Sequence, residues 1–290
     1  MWVRSPPRAL VTPAHSSTPL LMLKPVKLGS KVRLKDRDAQ TRNEPHGDEA
    51  EEKLVPLCER LNALQAALYA EGKQSLLIVL QGRDASGKDG LTRVVFGPLN
   101  VQGCTVTSFK QPSGYELARD YLWRVHQEVP PKGSIGIFNR SHYEDVLVVR
   151  VHDLVPKKVW SKRFDQINDF ERMLTENGVT ILKFMLHISQ DEQKQRLLAR
   201  IDDPLKNWKF QPGDIDERKR WDEYTVAYRD VLAKTSTPWA PWYVVPADRK
   251  STRNLLVAQV VVDAVERMAP KFPRVDAEVL RLAREWEKEG

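Results

Sequence analysis

Short, continuous apolar runs alternate with amphipathic stretches along this chain. The run at 75–80 is apolar at almost every position, which is typical of a strand buried on both faces. Runs of this kind predict strands at Ser75–Leu80, Thr105–Phe109, Ile135–Phe138, Thr180–Ile188 and Trp242–Val245. Because helical patterns separate them, we predict an α/β fold in which helices flank a five-stranded parallel sheet.

Apolar residues spaced three and four positions apart predict the helices. The first begins at Asp48, where acidic residues crowd the first turn and are stabilised by the helix dipole. Further helix starts are marked by a Ser or Asp with Glu three residues later, at Ser113, Ser189 and Asp214. Other helices are predicted at 88–97, 157–176, 214–235, 251–268 and 276–289. The apolar stretch Leu255–Met268 fits either the core or an interface between subunits.

The positive charge of the chain is concentrated at its beginning. The sequence has 46 Lys and Arg against 39 Asp and Glu, a net charge of +7. Residues 1–43 hold nine of the basic groups and two of the acidic ones, so the rest of the chain is neutral. A neutral body gives no general argument for a polyanion partner, and we expect no nucleic-acid binding.

Composition also bears on the cellular compartment. The apolar runs are too short to span a bilayer, so we expect no membrane association. Cys58 and Cys104 have neither disulfide nor metal-site spacing, which indicates a reducing cytoplasm. Residues 1–21 lack acidic groups and fit a transit peptide, a disordered tail or sequence ahead of a true start at Met22, which we favour.

A phosphate-binding loop follows the first predicted strand. Gly82 and Gly87-Lys88 have the Gly-x4-Gly-Lys spacing, and a helix is predicted directly after them. The glycines let backbone N–H groups turn onto phosphate oxygens, the helix N-terminus adds its dipole, and Lys88 adds a point charge. The predicted phosphate contacts in this loop are Gly82, Ala85, Ser86, Gly87, Lys88 and Asp89.

Two aspartates distinguish this loop from the general form. Asp89 stands where a Ser or Thr hydroxyl normally binds Mg²⁺, and Asp84 lies inside the loop. A carboxylate beside bound phosphate is repelled unless a cation lies between them, so we assign Asp84 to Mg²⁺. The alternative is that Asp84 braces the loop by bonding its own backbone, as Asp often does in turns.

The third predicted strand brings a second polar group to the same sheet edge. Asn139 occupies the position at which P-loop proteins usually carry an acidic metal ligand, and Glu144 and Asp145 follow within reach. Arg140 is predicted to hold phosphate, because a guanidinium matches phosphate oxygens in bidentate geometry. His142 fits a structural role better than that of a proton shuttle.

The stretch at 194–220 is rich in charge, with eight basic and five acidic side chains. Within it, the Pro- and Gly-containing segment Asp203–Gly213 predicts a mobile connection between two helices. In small kinases such an element closes over the phosphates and excludes water, so we predict a lid at about 200–225. The alternative is a solvated charged surface.

Taken in this order, the motifs resemble polyphosphate kinase family 2. The resemblance extends over about residues 30–270 and is carried by Gly82–Asp89, Ser108–Ser113, Phe138–Asp145, Pro204–Phe210, Glu217–Trp221 and Ala240–Asp248. It implies a thymidylate-kinase-like P-loop kinase fold with a helical lid. On this basis we divide the chain into a basic, flexible N-terminal segment (1–47), a P-loop phosphotransferase domain (48–270) and a C-terminal helix (271–290).

The resemblance implies transfer of a terminal phosphoryl group between inorganic polyphosphate and a nucleotide, with Mg²⁺ or Mn²⁺. Asn139 with Glu144 after Tyr143 resembles the branch that phosphorylates both nucleoside monophosphates and diphosphates. Lys250-Ser251-Thr252 departs from the family, in which Trp is expected after the Lys. The predicted site residues are Asp84, Lys88, Arg140 and Glu144 for catalysis, Asp84 and Glu144 for the metal, Asn139 and Tyr143 for the nucleotide, and Lys110, Arg200, Lys206 and Arg218 as further phosphate contacts.

Two other functions are alternatives to this one. An ATP-dependent nucleotide kinase on the same fold is opposed by Asp84 inside the loop and by the Asn139–Asp145 stretch. A non-enzymatic polyanion-binding protein finds support in the basic arm at 24–42, although that arm lacks the interleaved aromatic residues that stack on bases. For the enzyme we expect a homo-oligomer.

Overall fold

Five parallel strands form the centre of the structure, a computed structural model that describes residues 22–41 and 44–288. The strands are β1 (Ser75–Gly82), β2 (Cys104–Ser108), β3 (Ile135–Asn139), β4 (Val179–His187) and β5 (Trp242–Pro246), in the spatial order β2-β3-β1-β4-β5. The predicted five-stranded parallel sheet is therefore confirmed. The predictions about residues 1–21 lie outside the described residues.

Twelve α-helices are present in the described part of the chain. They are α1 (Asp48–Glu71), α2 (Lys88–Leu91), α3 (Gly114–Leu117), α4 (Trp123–His126), α5 (Val148–Val151), α6 (Lys157–Trp160), α7 (Arg163–Glu176), α8 (Gln190–Asp202), α9 (Pro212–Lys219), α10 (Trp221–Thr235), α11 (Lys250–Met268) and α12 (Ala277–Trp286). Short 3-10 turns lie at Asp36–Ala39, Val101–Gly103, His142–Val146 and Asn207–Lys209, and a wider π turn at Thr92–Phe96 continues α2. None of the described helices is long and apolar enough to cross a membrane.

The sheet is covered on both faces, and β1 shows how its residues divide between two cores. Leu76, Ile78 and Leu80 point to the side of α1 and α11, whereas Leu77 and Val79 point to the side of α7 and α10. All five are fully buried, as expected for a central parallel strand. Most of α11 is buried against α1 and the sheet, so the apolar stretch Leu255–Met268 belongs to the core and not to a subunit interface.

Two predicted helices are interrupted in the structure. The helix expected over 157–176 is divided into α6 and α7, and the helix expected over 214–235 breaks at Arg220 between α9 and α10. The predicted capping pair of Asp214 and Glu217 is wrong. Asp214 is instead the third residue of α9, where its Oδ2 accepts the backbone N–H of Gln211 at 3.1 Å.

The other two predicted caps have different outcomes. The Ser113 hydroxyl accepts the N–H of Glu116, whose carboxylate accepts the N–H of Ser113 at 2.6 Å, so this capping box is confirmed. At α8 the Ser189 hydroxyl also accepts the N–H of Glu192. However, the N–H of Ser189 donates to Asp248 at 2.9 Å, so the predicted box has only one of its two bonds.

The segment ahead of α1 was predicted to be flexible, yet its described residues pack on the sheet. The backbone N–H of Val26 donates to the carbonyl of Trp242 at 2.8 Å, and the Ser236 hydroxyl donates to the Val26 carbonyl at 2.6 Å. Leu34 is buried, and the Lys35 carbonyl lies 2.9 Å from the ring of His187. Residues 24–41 are therefore an extended arm that belongs to the folded body.

Candidate active site

The loop between β1 and α2 has the conformation that its two glycines predict. At Gly82 φ is +152°, and a Cβ atom would lie 2.7 Å from the Leu186 carbonyl oxygen of the neighbouring strand. At Gly87 φ is +95°, a left-handed value that favours glycine. The loop can therefore turn tightly at the carboxyl end of the sheet and direct the first N–H groups of α2 outward, as anion-binding loops do.

Lys88 is buried at the start of α2. Its ammonium group donates to the carbonyl of Gly82 at 2.6 Å and approaches that of Arg83 at 3.4 Å. Burial and then the repulsion of Arg140 lower the pKa of Lys88. Within the described residues no carboxylate lies at ion-pair distance from Lys88, so this cation is held next to the loop without a direct counter-charge.

The predicted catalytic residues come together at this sheet edge. Arg140, directly after β3, donates to Asp84 Oδ1 at 2.9 Å, although the two residues are 56 positions apart. Burial lowers the pKa of Arg140, but Glu144 and Asp84 outweigh it and raise that pKa above the ordinary value. Lys88 also interacts electrostatically with Asp84, Glu144 and Arg140. Two cations and two carboxylates thus form one coupled group beside the loop.

Glu144 lies in the 3-10 turn after β3. Its pKa is raised by burial first, and also by Asp84, while Arg140 and Lys88 oppose the shift. One orientation of the Gln81 amide gives both its nitrogen and its oxygen a hydrogen-bond partner. In this orientation the nitrogen donates to Glu144 Oε1 at 3.0 Å and the oxygen accepts from Ser141. Gln81, at the end of β1, therefore fixes the position of Glu144. The next residue, Asp145, turns away from this group and pairs with Arg163 at 2.7 Å.

Asn139 and Asp89 are bonded to each other. The amide of Asn139 donates to Asp89 Oδ1 at 2.7 Å, which joins the end of β3 to the first turn of α2. Burial raises the pKa of Asp89, but the hydrogen bond from Asn139 and the charge of Lys209 lower it by more. The net pKa of Asp89 is therefore below the ordinary value. Lys209, from the predicted lid, lies 3.6 Å from Asp89 Oδ2.

The predicted lid contains a short 3-10 turn and α9, and it contacts α2 through Lys209 and Asp89. Trp208 and Leu205 within it are largely exposed. Of its predicted phosphate contacts, Lys206 pairs with Asp203, and Arg200 lies 3.6 Å from Asp214. Arg218 donates to the backbone of Gln190 and the side chain of Gln193 on α8, at 2.8 and 2.9 Å, so it is held against that helix.

Lys110 lies at the outer end of the same edge. It is exposed and follows β2, and its carbonyl accepts a bond from Arg124 at 2.9 Å. The neighbouring N–H of Phe109 donates to the carbonyl of Asn139 at 3.3 Å. Lys110 is thus next to the polar group but without a side-chain bond to it among the described residues.

Tyr143 does not lie where the sequence placed it. Its side chain is fully buried, and its hydroxyl donates to Glu171 at 2.8 Å and accepts from Lys183 at 2.7 Å. A ring in this position is inaccessible to a ligand, so we remove Tyr143 from the predicted nucleotide contacts. His142 is also buried, 3.2 Å from the Glu171 carboxylate, which agrees with the structural role favoured for it.

Comparison with known proteins agrees with this geometry. The family model described as Polyphosphate kinase 2 (PPK2) matches residues 44–273. This chain belongs to the polyphosphate kinase 2 family. The AMP/ADP-polyphosphate phosphotransferase of Meiothermus ruber is 56% identical over 223 residues, which cover 77% of this chain and 84% of that protein.

Two more similar proteins agree with the assignment. The ADP-polyphosphate phosphotransferase of Rhodopseudomonas palustris is 47% identical over 227 residues, or 74% of this chain and 78% of that protein. The crystal structure of polyphosphate kinase 2 from Arthrobacter aurescens TC1 superposes with a TM-score of 0.84 at 40% identity, covering 91% of this chain and 99% of that one. The P-loop kinase fold expected from the sequence is thus confirmed.

Sequence reasoning missed the side chains that hold this PPK2 loop from behind. Gln193 and Arg196 of α8 donate to the carbonyls of Asp84 and Ala85, at 3.1 and 3.0 Å. Arg253 of α11 donates to the carbonyl of Ser86 at 3.2 Å. These residues are more than 100 positions from the loop, and nothing in the local spacing of charges separates them from solvated surface groups.

The departure from the family pattern after Lys250 has a structural explanation. The Ser251 hydroxyl accepts the N–H of Gly47 at 2.9 Å, and the Thr252 hydroxyl donates to the carbonyl of Pro45 at 2.7 Å. The two small hydroxyl residues thus bind the start of α11 to the segment that leads into α1. Their contacts are remote from the polar group at the sheet edge.

Proposed function

We propose that this chain catalyses Mg²⁺-dependent transfer of the terminal phosphoryl group of inorganic polyphosphate to AMP and ADP, in a reaction that is reversible in principle. The observation that carries the proposal is the coupled group of Lys88, Arg140, Asp84 and Glu144 beside the loop. The names of the relatives from Meiothermus ruber and Rhodopseudomonas palustris support polyphosphate as one substrate and AMP or ADP as the other.

The donor set at the sheet edge fits Mg²⁺ or Mn²⁺. Asp84 and Glu144 offer hard carboxylate oxygens at the loop, and Glu144 is half-buried, with its pKa raised chiefly by burial. No group of three or more His, Cys, Asp or Glu side chains that could hold a metal occurs within 22–41 and 44–288. Mg²⁺ commonly binds one or two carboxylates and takes its other ligands from phosphate and water. Asp84 and Glu144 would hold it, and it would neutralise charge on the phosphates.

The other residues align the phosphates. Phosphoryl transfer needs in-line positioning and neutralisation of charge, with little covalent chemistry from the protein. The loop N–H groups and Lys88 hold the phosphate at the head of α2, and Arg140 binds the transferring group in bidentate geometry. Arg140 must then exchange its bond to Asp84 for phosphate oxygens, which leaves Asp84 available to the metal.

The acceptor nucleotide and the lid lie on either side of this group. Asn139 and Lys110, at the ends of β3 and β2, are the side chains we assign to the acceptor side. Lys206, Arg200 and Lys209 of the lid region carry positive charge towards the polyphosphate, and Lys209 already contacts α2 through Asp89. Closure of the lid would exclude water, which would otherwise accept the phosphoryl group.

Product formation tests the proposal. Purified protein, Mg²⁺ and polyphosphate are incubated with AMP or with ADP, and we expect both ADP and ATP to form. A parallel reaction replaces polyphosphate by ATP as the donor to AMP. Nucleotide product from ATP but none from polyphosphate would contradict the proposal and favour an ordinary nucleotide kinase, and chelation of Mg²⁺ should abolish the polyphosphate reaction.

We further propose that the enzyme is a cytoplasmic homo-oligomer. The thiols of Cys58 and Cys104 are free, which agrees with a reducing compartment. The amphipathic helix α12 exposes Val279, Leu280, Leu282 and Trp286, an apolar set that a second subunit could cover. Size-exclusion chromatography with light scattering measures the mass in solution, and a mass of one chain would contradict the assembly.

A further inference from the structure

Two arginines, one on α8 and one on α11, hold the backbone carbonyls of the phosphate-binding loop. Arg196 of α8 donates through Nη1 to the carbonyls of Ala85 and Ser86, at 3.0 and 3.2 Å. Arg253 of α11 donates to the same Ser86 carbonyl at 3.2 Å. Its Nη1 atom would be 2.0 Å from a Cβ placed on Gly87, so the guanidinium packs directly on that glycine.

The two arginines differ in how their charge is compensated. Arg196 pairs with Glu192, with 2.7 Å between Nε and Oε1. Arg253 is only 2% exposed and has no carboxylate at ion-pair distance in the described part of the chain. Its other bonds go to the neutral side chain of Asn254, at 2.7 and 3.1 Å. Burial, and then the repulsion of Arg196, lower the pKa of Arg253 to about 9.

An uncompensated buried cation destabilises a folded protein, so its presence indicates a role other than stability. That role follows from the peptide geometry. No cis peptide bond is present among the described residues, so the N–H of Gly87 points away from the Ser86 carbonyl that Arg253 holds. The arginine is therefore on one side of the Ser86–Gly87 peptide, and the N–H of Gly87 points to the other side, where the proposed function places the phosphate.

We propose that Arg253 is a positioning residue for the phosphate-binding loop, which fixes the Ser86–Gly87 peptide and supplies a buried positive charge that is compensated when a polyphosphate anion binds. The inference deepens the proposed function and rests on it. Because the charge is shielded from solvent, its attraction for an anion across the loop is weakly screened. The charge of Arg253 therefore makes the ligand-free protein less stable and the anion-bound protein more stable.

Inorganic tripolyphosphate is the probe for the first test. Its dissociation constant is measured by calorimetry, and the unfolding midpoint is measured with and without it. In Arg253→Gln we expect binding to weaken about tenfold, because a hydrogen-bonded charge near the anion is lost. The ligand-free midpoint should stay the same or rise, and the gain from tripolyphosphate should shrink in step with the weaker affinity.

Arg150→Gln is the matched control. Arg150 is half-buried, pairs with Asp230 at 2.7 Å and has no hydrogen bond to the loop in the described structure. Its loss should lower the ligand-free midpoint and leave tripolyphosphate affinity unchanged. If Arg253→Gln behaves in the same way as this control, Arg253 is merely structural and the inference is overturned.

Arg253→Lys keeps the charge and tests the role of Arg253 if the Gln variant does not fold. We expect it to bind tripolyphosphate within about threefold of the unaltered protein, since the ammonium preserves the field. A tenfold loss in this variant would overturn the inference. Unaltered protein that binds tripolyphosphate but forms no nucleotide product would contradict the proposed function while leaving the role of Arg253 intact.

Discussion

Two lysines are buried in this fold, one within β4 of the sheet and one at the start of α2, and their surroundings are opposite. The ammonium of Lys183 on β4 lies 2.5 Å from the Glu171 carboxylate, 2.7 Å from the Tyr143 hydroxyl and 2.7 Å from the Thr235 carbonyl. Lys88 at the loop bonds only backbone carbonyls in the described structure, and no carboxylate pairs with it directly. One ammonium has three partners in a closed network, and the other lacks a direct counter-charge.

The difference separates a charge that stabilises the fold from a charge that serves the reaction. Burial raises the pKa of Glu171, but Lys183 and His142 outweigh burial and hold that pKa below its ordinary value. Burial lowers the pKa of Lys183 to about 8, against the opposing charge of Glu171, so at neutral pH the pair is ionised and satisfied. Around Lys88, burial lowers the pKa of the lysine and raises that of Glu144. Both shifts disfavour the charged forms, and a highly charged ligand or a metal would reverse them.

The same substitution at the two lysines tests this comparison, and Lys88→Met should have the larger effect. Phosphoryl transfer should fall by about 10³-fold, because a charge next to the transferring phosphate is lost. The free energy of unfolding should change by about 1 kcal/mol or less, since a buried cation without a paired carboxylate is removed. Steady-state kinetics with polyphosphate and ADP, together with urea denaturation, measure the two quantities. Retained activity would show that the loop does not bind the reacting phosphates.

Lys183→Met should give the reverse result. Its removal leaves Glu171 charged and buried, which should lower the free energy of unfolding by about 3–5 kcal/mol. The double variant Lys183→Met, Glu171→Leu should recover part of that loss, because no uncompensated charge remains. The folded fraction should keep activity within a few-fold of the unaltered protein. A Lys183→Met protein that is stable but inactive would contradict the division between the two lysines.

The sequence predicted one of these regions well and the other poorly. The strand pattern and the Gly-x4-Gly-Lys spacing are local signals, so the sheet and the position of Lys88 could be read from neighbouring residues. Lys183 lies within an apolar strand, and its partner Glu171 is on the polar pattern of α7. Only the packing of α7 on the sheet brings them together, and the same packing draws Tyr143 inward, away from the predicted nucleotide site.

The pairing of Arg140 with Asp84 and the support of the loop by Arg253 had no local signal either. In both cases residues on different elements meet because parallel strands end at one edge and helices pack behind it. Sequence reasoning could name Asp84 and Arg140 as separate candidates, since their residue types suit metal and phosphate. Their mutual bond, which ligand binding must exchange, required the structure.

The smallest expected effect concerns Glu144 and depends on pH. Its pKa in the folded protein is raised above the ordinary value of 4.5, chiefly by burial. Stability from this group is therefore fully present below the ordinary pKa and is lost as the pH rises through the raised value. Glu144→Gln resembles the protonated form at every pH. Without ligand, its free energy of unfolding relative to the unaltered protein should increase from pH 4 to pH 8, by about 1 kcal/mol.

Addition of Mg²⁺ with tripolyphosphate should reverse the order at pH 8. The unaltered protein gains stability as the charge of Glu144 is compensated, whereas the Gln variant gains less because it lacks the carboxylate. Urea denaturation across the pH range measures the free energy of unfolding of both proteins, with and without Mg²⁺ and tripolyphosphate. Because Gln keeps the volume of Glu, packing at Gln81 and Ser141 should be preserved. A variant that is less stable at every pH, with or without these ligands, would place Glu144 with Lys183 among the charges that stabilise the fold.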